Sequence, residues 1–511
     1  MRKSGILMPV SSLPSPYGIG TLGAEARKFA GFLAAGGQSC WQMLPVGPTG
    51  FGDSPYQSFS SFAGNPYFID LDQLAEEGLL EPHEFQSLNW GDNPERVDYG
   101  RLYSTRYPVL RKACGRLLAQ ERPGFSAFCQ EQSAWLEDYA LFMALKEKHG
   151  GVSWFQWPED LRLRKAAAME KARAELAEET SFWKAVQYIF FSQWCALKRY
   201  VNALGISIIG DLPIYVSGDS ADVWASPEQF QLDEKRLPTE VAGCPPDGFA
   251  PDGQLWGNPL FNWDQMKGDG YAWWLNRISF QFQLYDTLRI DHFRGFDSYY
   301  AIPYGASTAR EGRWRPGPGI DFFRAVNKAL GKKDIIAEDL GFLTPSVCKL
   351  LKDSGYPGMK VLEFAFDSRD TGSNYLPYCY PTRCVAYTGT HDNDTVQGWM
   401  ESAPRKDVSF AKAYLRLSKK EGYHWGMLRS IWASPADLAV AQFQDLLGLG
   451  KEARMNIPST LGNNWQWRAL PGTFDEKLSR RLFREMSVYQ RLPQSKAARR
   501  KAKESSKSLC G

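Results

Sequence analysis

Histidine is scarce in this chain: five among 511 residues. That is too few for the His-rich ligand sets of zinc and transition-metal enzymes. Cysteine is sparse too, at nine. The nearest pair, Cys379 and Cys384, has no second pair and no neighbouring His to complete a zinc set. The cysteines are therefore expected to be reduced and mostly buried, as suits a cytoplasmic protein. Net charge is nearly absent, +3 overall, which gives no electrostatic case for nucleic acid or an anionic membrane. No run of about 18 apolar residues exists to span a bilayer. Behind Met1-Arg2-Lys3 the apolar stretch is cut by Pro9, Pro14 and Pro16, so no secretory h-region is expected. Walker, Gly-x-Gly-x-x-Gly and Gly-x-Ser-x-Gly patterns are all missing. Repeats, linkers and low-complexity segments are missing as well.

Aromatics are abundant: 71, of which 18 are Trp. Most are expected in the core. An excess of Trp and Tyr among many Gly and Pro also suggests loop platforms for a flat polar ligand such as a sugar. With 43% apolar and 23% charged residues the chain reads as globular. We expect one compact unit over residues 1–493 and a basic, disordered tail over 494–511, where Lys496–Lys503 concentrates the charge.

Apolar runs of strand length alternate with amphipathic helical stretches, the α/β pattern. Leu22, Ala26, Phe29, Ala30 and Leu33 share one helical face, and Gly36-Gly37 stops that helix. Gln38–Leu44 reads as a strand. Residues 70–200 read as a helical insertion, with helices over Glu131–Lys148 and Leu161–Glu179. Five apolar runs follow, at 206–209, 288–290, 335–337, 360–362 and 385–387. Four of them lead into acids: Asp211, Asp291, Glu338 with Asp339, and Asp392. One such acid commonly caps the next helix. Four in succession suit a βα barrel, whose strand C-termini meet at one mouth.

Clustered carboxylates serve divalent metals, usually with phosphate substrates, or glycosidic bond cleavage. The aromatics favour cleavage. Arg289 and Asp291 alternate onto one strand face, so the cation should hold Asp291 ionised as a nucleophile requires. Glu338 leaves an apolar strand, where burial and Asp291 should both raise its pKa toward that of a general acid. His391 and Asp392 complete the series.

In this order the acids resemble the four motif regions of the α-amylase superfamily. Ser54–Tyr67, Pro245–Phe249, Gly253–Leu260 and Asn464–Arg468 narrow the resemblance to the 4-α-glucanotransferases of glycoside hydrolase family 77, from Ser11 to about Arg468. That resemblance implies a (β/α)8 TIM barrel with inserted, mainly helical subdomains and no C-terminal β-sandwich. It implies retaining transfer of α-1,4-glucan segments, with no cofactor, no metal and no obligate protein partner; an amylase-type hydrolase is the alternative. Carried across residue by residue, Asp291 is the nucleophile, Glu338 the acid/base and Asp392 the transition-state stabiliser. Tyr56, Asp211, Phe249, Trp256, Arg289 and His391 are substrate-binding or site-orienting residues. The loops 243–257 and 304–319, carrying Trp256 and Trp314, are expected to border the cleft. Two positions depart from the family: Gly248 stands where a Tyr is usual, and Ser459 where a Gly is usual.

Overall fold

The computed structural model describes residues 2–120, 122–246, 251–341, 343–368 and 373–493. Among the described residues twelve strands form two sheets. In chain order they are β1 (Lys3–Leu7), β2 (Cys40–Gln42), β3 (Ser207–Pro213), β4 (Glu240–Cys244), β5 (Gln254–Pro259), β6 (Thr287–Asp291), β7 (Ser298–Pro303), β8 (Arg313–Pro316), β9 (Ile335–Ala337), β10 (Gly358–Val361), β11 (Cys384–Tyr387) and β12 (Leu438–Gln442). Eight of them run β10-β11-β12-β1-β2-β3-β6-β9. All pairings within this sheet are parallel. The Ala337 N–H donates to the Pro357 carbonyl at 2.9 Å, which brings the two ends of the sheet together. The fold is an α/β TIM barrel, as expected. Its strands are apolar because both faces are covered: β9 and β11 are buried at every residue.

The acid-terminated runs mark four of the barrel strands and two further apolar runs mark β2 and β10; β1 and β12 are the two that the sequence reading did not reveal. β12 ends in Gln442, so no carboxylate flags it. The helix Ala24–Ala35 starts after Gly23 and stops at Gly36; four of the five anticipated contact residues lie on it, Leu22 precedes it, and all five are fully buried.

The insertion between β2 and β3 is helical, but its last helix belongs partly to the barrel. Ala177–Ala203 runs 27 residues. Near its C-terminal end, Trp194 Nε1 donates to the Leu284 carbonyl at 3.3 Å and Lys198 Nζ to that of Tyr285 at 3.2 Å. The helix expected over Leu161–Glu179 is broken into Glu159–Arg162, Ala166–Glu175 and the start of Ala177–Ala203. Arg164 takes a left-handed backbone (φ 56°) at the first break. Its guanidinium pairs with Asp138 at 2.7 Å and stacks on Trp224, so tertiary contacts override helix propensity there.

The second sheet, β5-β4-β7-β8, is antiparallel. The stretches expected as two cleft loops are thus partly strand: β4 and β5 take 243–244 and 254–257 of the first, and β8 takes 313–316 of the second. Among the described cysteines three are buried, three half-buried and two exposed, so they are less buried than their sequence suggested. No helix among the described residues is long and apolar enough to cross a membrane. Thirteen of the 18 Trp are buried, so filling the core is their main use.

The segment carrying Tyr56 is held from behind. On the Ala177–Ala203 helix, Gln187 accepts from the Gly64 N–H at 2.7 Å and donates to the Gly64 carbonyl at 3.0 Å. Gln193 does the same for Asp70, at 2.7 and 3.1 Å. A Cβ on Gly64 would lie 2.0 Å from the Phe190 ring, so only glycine fits. Replacing Gln187 by Leu leaves two buried backbone groups unpaired, each worth about 1–3 kcal/mol. We expect Gln187→Leu to destabilise the chain by about 2–4 kcal/mol in urea unfolding; a change below about 0.5 kcal/mol would show that these bonds do not hold the segment.

Candidate active site

The barrel's C-terminal mouth opens into a cavity of about 570 Å³. Its lining includes Tyr56, Trp256, Asp291, His292, His391, Asp392, Asn456 and Trp465.

Strand register builds the floor. Asp211 of β3 pairs directly with Arg289 of β6, and both side chains are buried. Arg289 Nη1 lies 2.7 Å from both Asp211 oxygens. The same nitrogen lies 2.9 Å from Asp291, two residues on and on the same strand face. One guanidinium therefore bridges a fully buried acid and one whose side chain is 30% exposed. Burial raises the Asp211 pKa and Arg289 opposes that. Burial alone would lower the Arg289 pKa; the flanking acids reverse this and hold it well above its ordinary value.

After Asp291 the chain turns sharply. His292 adopts a left-handed backbone (φ 52°), and the fully buried Phe293 and Phe296 anchor the turn just after it. Phe296 stacks on Phe322 with centroids 4.7 Å apart. This turn presents the His292 N–H to Glu338 Oε2 at 2.7 Å. The Leu340 N–H reaches the other oxygen, Oε1, at 2.7 Å. Glu338 thus accepts two backbone bonds, which favour its anion. Burial first and Asp291 second act the other way and prevail, pushing its pKa up to about 8. Asp339, the next residue, turns away and accepts the Met359 N–H of β10 at 2.6 Å, so its part is in the barrel seam.

The loop after β11 is stapled at its base. Buried Asp445 accepts from Thr388 Oγ1 at 2.6 Å and from the Val396 N–H at 2.8 Å, spanning both ends of the loop. Within it Asn393 Oδ1 accepts from the Thr390 N–H and hydroxyl at 2.9 Å each. His391 stacks on Tyr56 at 5.1 Å and 17°. The Tyr56 hydroxyl donates to Asp211 Oδ2 at 3.0 Å. Asp392 faces the cleft with its side chain 43% exposed.

Eight of the nine expected site residues are described, and they gather at this mouth: six line the cavity or its floor by direct bonds to Arg289 or Asp211, Glu338 sits against the His292 N–H, and Trp256 walls the open side. Trp256 meets His292 edge-on at 4.8 Å and donates to Gln254 Oε1 at 3.0 Å. Phe249 and Gly248 lie outside the described residues. Residues 304–319 contribute nothing to the lining; Trp314 instead covers Arg294 at 4.0 Å and packs on Tyr300. Ser459 has a left-handed backbone (φ 62°), which accounts physically for the glycine expected there. Asn456, Arg454 and Asp445 were missed, because no spacing rule ties an amide or a buried cap to a distant acid. Among the described residues no three His, Cys, Asp or Glu side chains are grouped to hold a metal ion.

The family model described as 4-alpha-glucanotransferase matches residues 8–472. A 4-alpha-glucanotransferase of Clostridium butyricum is 48% identical over 95% of this chain and 100% of its own length. One from Thermus thermophilus is 48% identical over 94% and 97%. The structure of an amylomaltase from Streptococcus agalactiae in complex with acarbose superposes with a TM-score of 0.94 at 42% identity, covering 96% of this chain and 100% of that one. On these matches, and with the four acid-bearing strands in place, the chain belongs to the 4-α-glucanotransferases of glycoside hydrolase family 77.

Proposed function

We propose that this enzyme moves α-1,4-glucan segments from a donor malto-oligosaccharide or starch- or glycogen-type chain to the 4-hydroxyl of an acceptor glucan or glucose, by retaining double displacement. The observation that carries the reading is a pair of carboxyls with opposed environments in one cleft. Asp291 is ion-paired to Arg289 at 2.9 Å, while Glu338 is pushed up to about 8. The first suits attack on the anomeric carbon; the second carries the proton that the leaving oxygen needs. In the second half-reaction the Glu338 anion takes a proton from the incoming hydroxyl, and the C1–Asp291 bond breaks as the new C1–O bond forms. Asp392 faces the developing positive charge of the sugar ring. Asp211 and Tyr56 fix Arg289 and His391 around it. The edge of Trp256 against His292 offers the acceptor sugar a face while covering the intermediate from water.

Hydrolysis is the rival outcome of the same intermediate, and incubation with maltotriose separates them. Transfer gives glucose and a ladder of longer oligosaccharides; shortening alone would assign a hydrolase. Asp291→Asn should cut transfer by about 10⁴-fold or more while the chain stays folded, because an amide cannot form the glycosyl ester. Activity near that of the parent would remove Asp291 from the mechanism.

The proton on Glu338 sets the pH profile. Its acid form persists below about 8 and is lost above. The kcat/KM of the free enzyme should therefore fall with a single proton through about pH 8. A descending limb near the ordinary glutamate value of 4.5 would contradict the assignment. Trp256→Ala should raise the ratio of hydrolysis to transfer by about 3–10-fold, the worth of one aromatic contact, with a smaller effect on donor consumption. An unchanged ratio would take Trp256 out of the acceptor side.

A further inference from the structure

Asp392 is more exposed than Asp291, with 43% of its side chain open against 30%. A half-exposed Asp on a loop has free side-chain torsions, and aim is lost unless something fixes it. The loop itself fixes little of the carboxyl: His391 Nε2 stands 3.4 Å from Oδ2. The firm contact comes from elsewhere in the chain. Asn456 Nδ2 donates to Asp392 Oδ1 at 2.6 Å.

Arg454 ties the two segments together. Its Nη2 donates to the Asp392 carbonyl at 2.7 Å and its Nε to the Asn456 carbonyl at 2.8 Å. Beyond Asn456 the chain forms a wall of the same cleft, contributing Pro458, Ser459, Thr460, Leu461 and Trp465. Asn464 braces that wall by accepting the Ile457 N–H at 3.0 Å and donating to the Thr460 carbonyl at 3.1 Å.

We propose that Asn456 is a positioning residue for Asp392, its amide orienting the carboxylate toward the reacting sugar and coupling that orientation to the 456–465 wall of the cleft. The inference rests on the transferase reading above. It concerns a residue that touches the acid, and the chemistry requires an N–H donor at that point. An ionised carboxylate can only accept, so its partner must donate.

That requirement gives a test that mere structural support would not meet. In Asn456→Asp two carboxyls stand about 2.6 Å apart, so they share one proton. With the proton on residue 456 the variant still donates to an ionised Asp392 and should work. When the shared proton is lost, the two anions repel and the aim fails. The groups facing this pair are His391 from the same loop, Tyr56, Arg454 and, across the cleft, Asp291. All four are present in the parent, so they do not create the new ionisation.

Maltotriose disproportionation by the parent enzyme comes first; no oligosaccharide ladder there overturns the transferase reading, whatever the variants do. With the ladder present, Asn456→Ala should lower kcat by about 10–100-fold with KM changed less than about threefold, at every pH. Asn456→Asp should keep kcat within about threefold of the parent near pH 5 and fall to the level of the Ala variant by about pH 7, well below the parent's own alkaline limb. Thermal midpoints report folding of each variant. If Asn456→Ala does not fold, the Asp variant decides alone. An Ala variant with parent kcat, or an Asp variant whose profile follows either the parent or the Ala variant throughout, overturns the proposal.

Discussion

The site depends on one buried cation. Arg289 enters the barrel interior from β6, and no neutral side chain could take its place without leaving Asp211 an unpaired buried charge. Direct pairing of β3 with β6 puts the two side chains level, so the ion pair is a product of register. With Arg289 fixed, the other groups at the mouth are placed by contact. Asp291 takes the same guanidinium nitrogen, Tyr56 takes the outer oxygen of Asp211, and His391 lies flat on Tyr56. Breaking such a buried pair from one side costs about 3–5 kcal/mol, far more than a surface ion pair contributes.

Glu338 shows the tension between stability and chemistry. Folding raises its pKa from an ordinary 4.5 to about 8. Between those values the unfolded chain has released a proton that the folded chain retains, so the contribution of this group to stability falls as pH rises across that window. Two backbone N–H bonds limit the penalty without removing it. The same logic governs Asp445, which burial pushes to about 6 while its bonds to Thr388 and Val396 close the Asp392 loop. The barrel mouth is stable enough to aim its acids and strained enough to keep one of them protonated.

Much of this was legible in the sequence. Acids at the ends of successive apolar runs identified β3, β6, β9 and β11 and, with them, the floor of the cleft. Period-two alternation put Arg289 and Asp291 on one face. What stayed hidden was long-range and polar. β12 ends in Gln442 and so lacked the marker; the break at Arg164 depends on Asp138 and Trp224; β4 pairs not only with its neighbour β5 but with β7, farther along the chain. Asn456 lies 64 positions from the acid it touches, and an isolated Asn has no sequence signature. The aromatic excess proved to be chiefly core, with Trp256 and Trp465 the tryptophans that line the cleft.

The central claim is that a sugar becomes covalently attached to Asp291 as Glu338 gives its proton to the leaving oxygen. Trapping tests it directly. In a fluorinated α-glucosyl fluoride the ring fluorine slows both steps while the fluoride leaving group keeps attack by Asp291 the faster one, so an adduct should remain on the folded enzyme, and peptide mapping by mass spectrometry locates it. The account predicts one sugar per chain, on the peptide carrying Asp291 and on that residue. An adduct on Glu338 or Asp392, or turnover of the donor with no covalent species at any time, would contradict it.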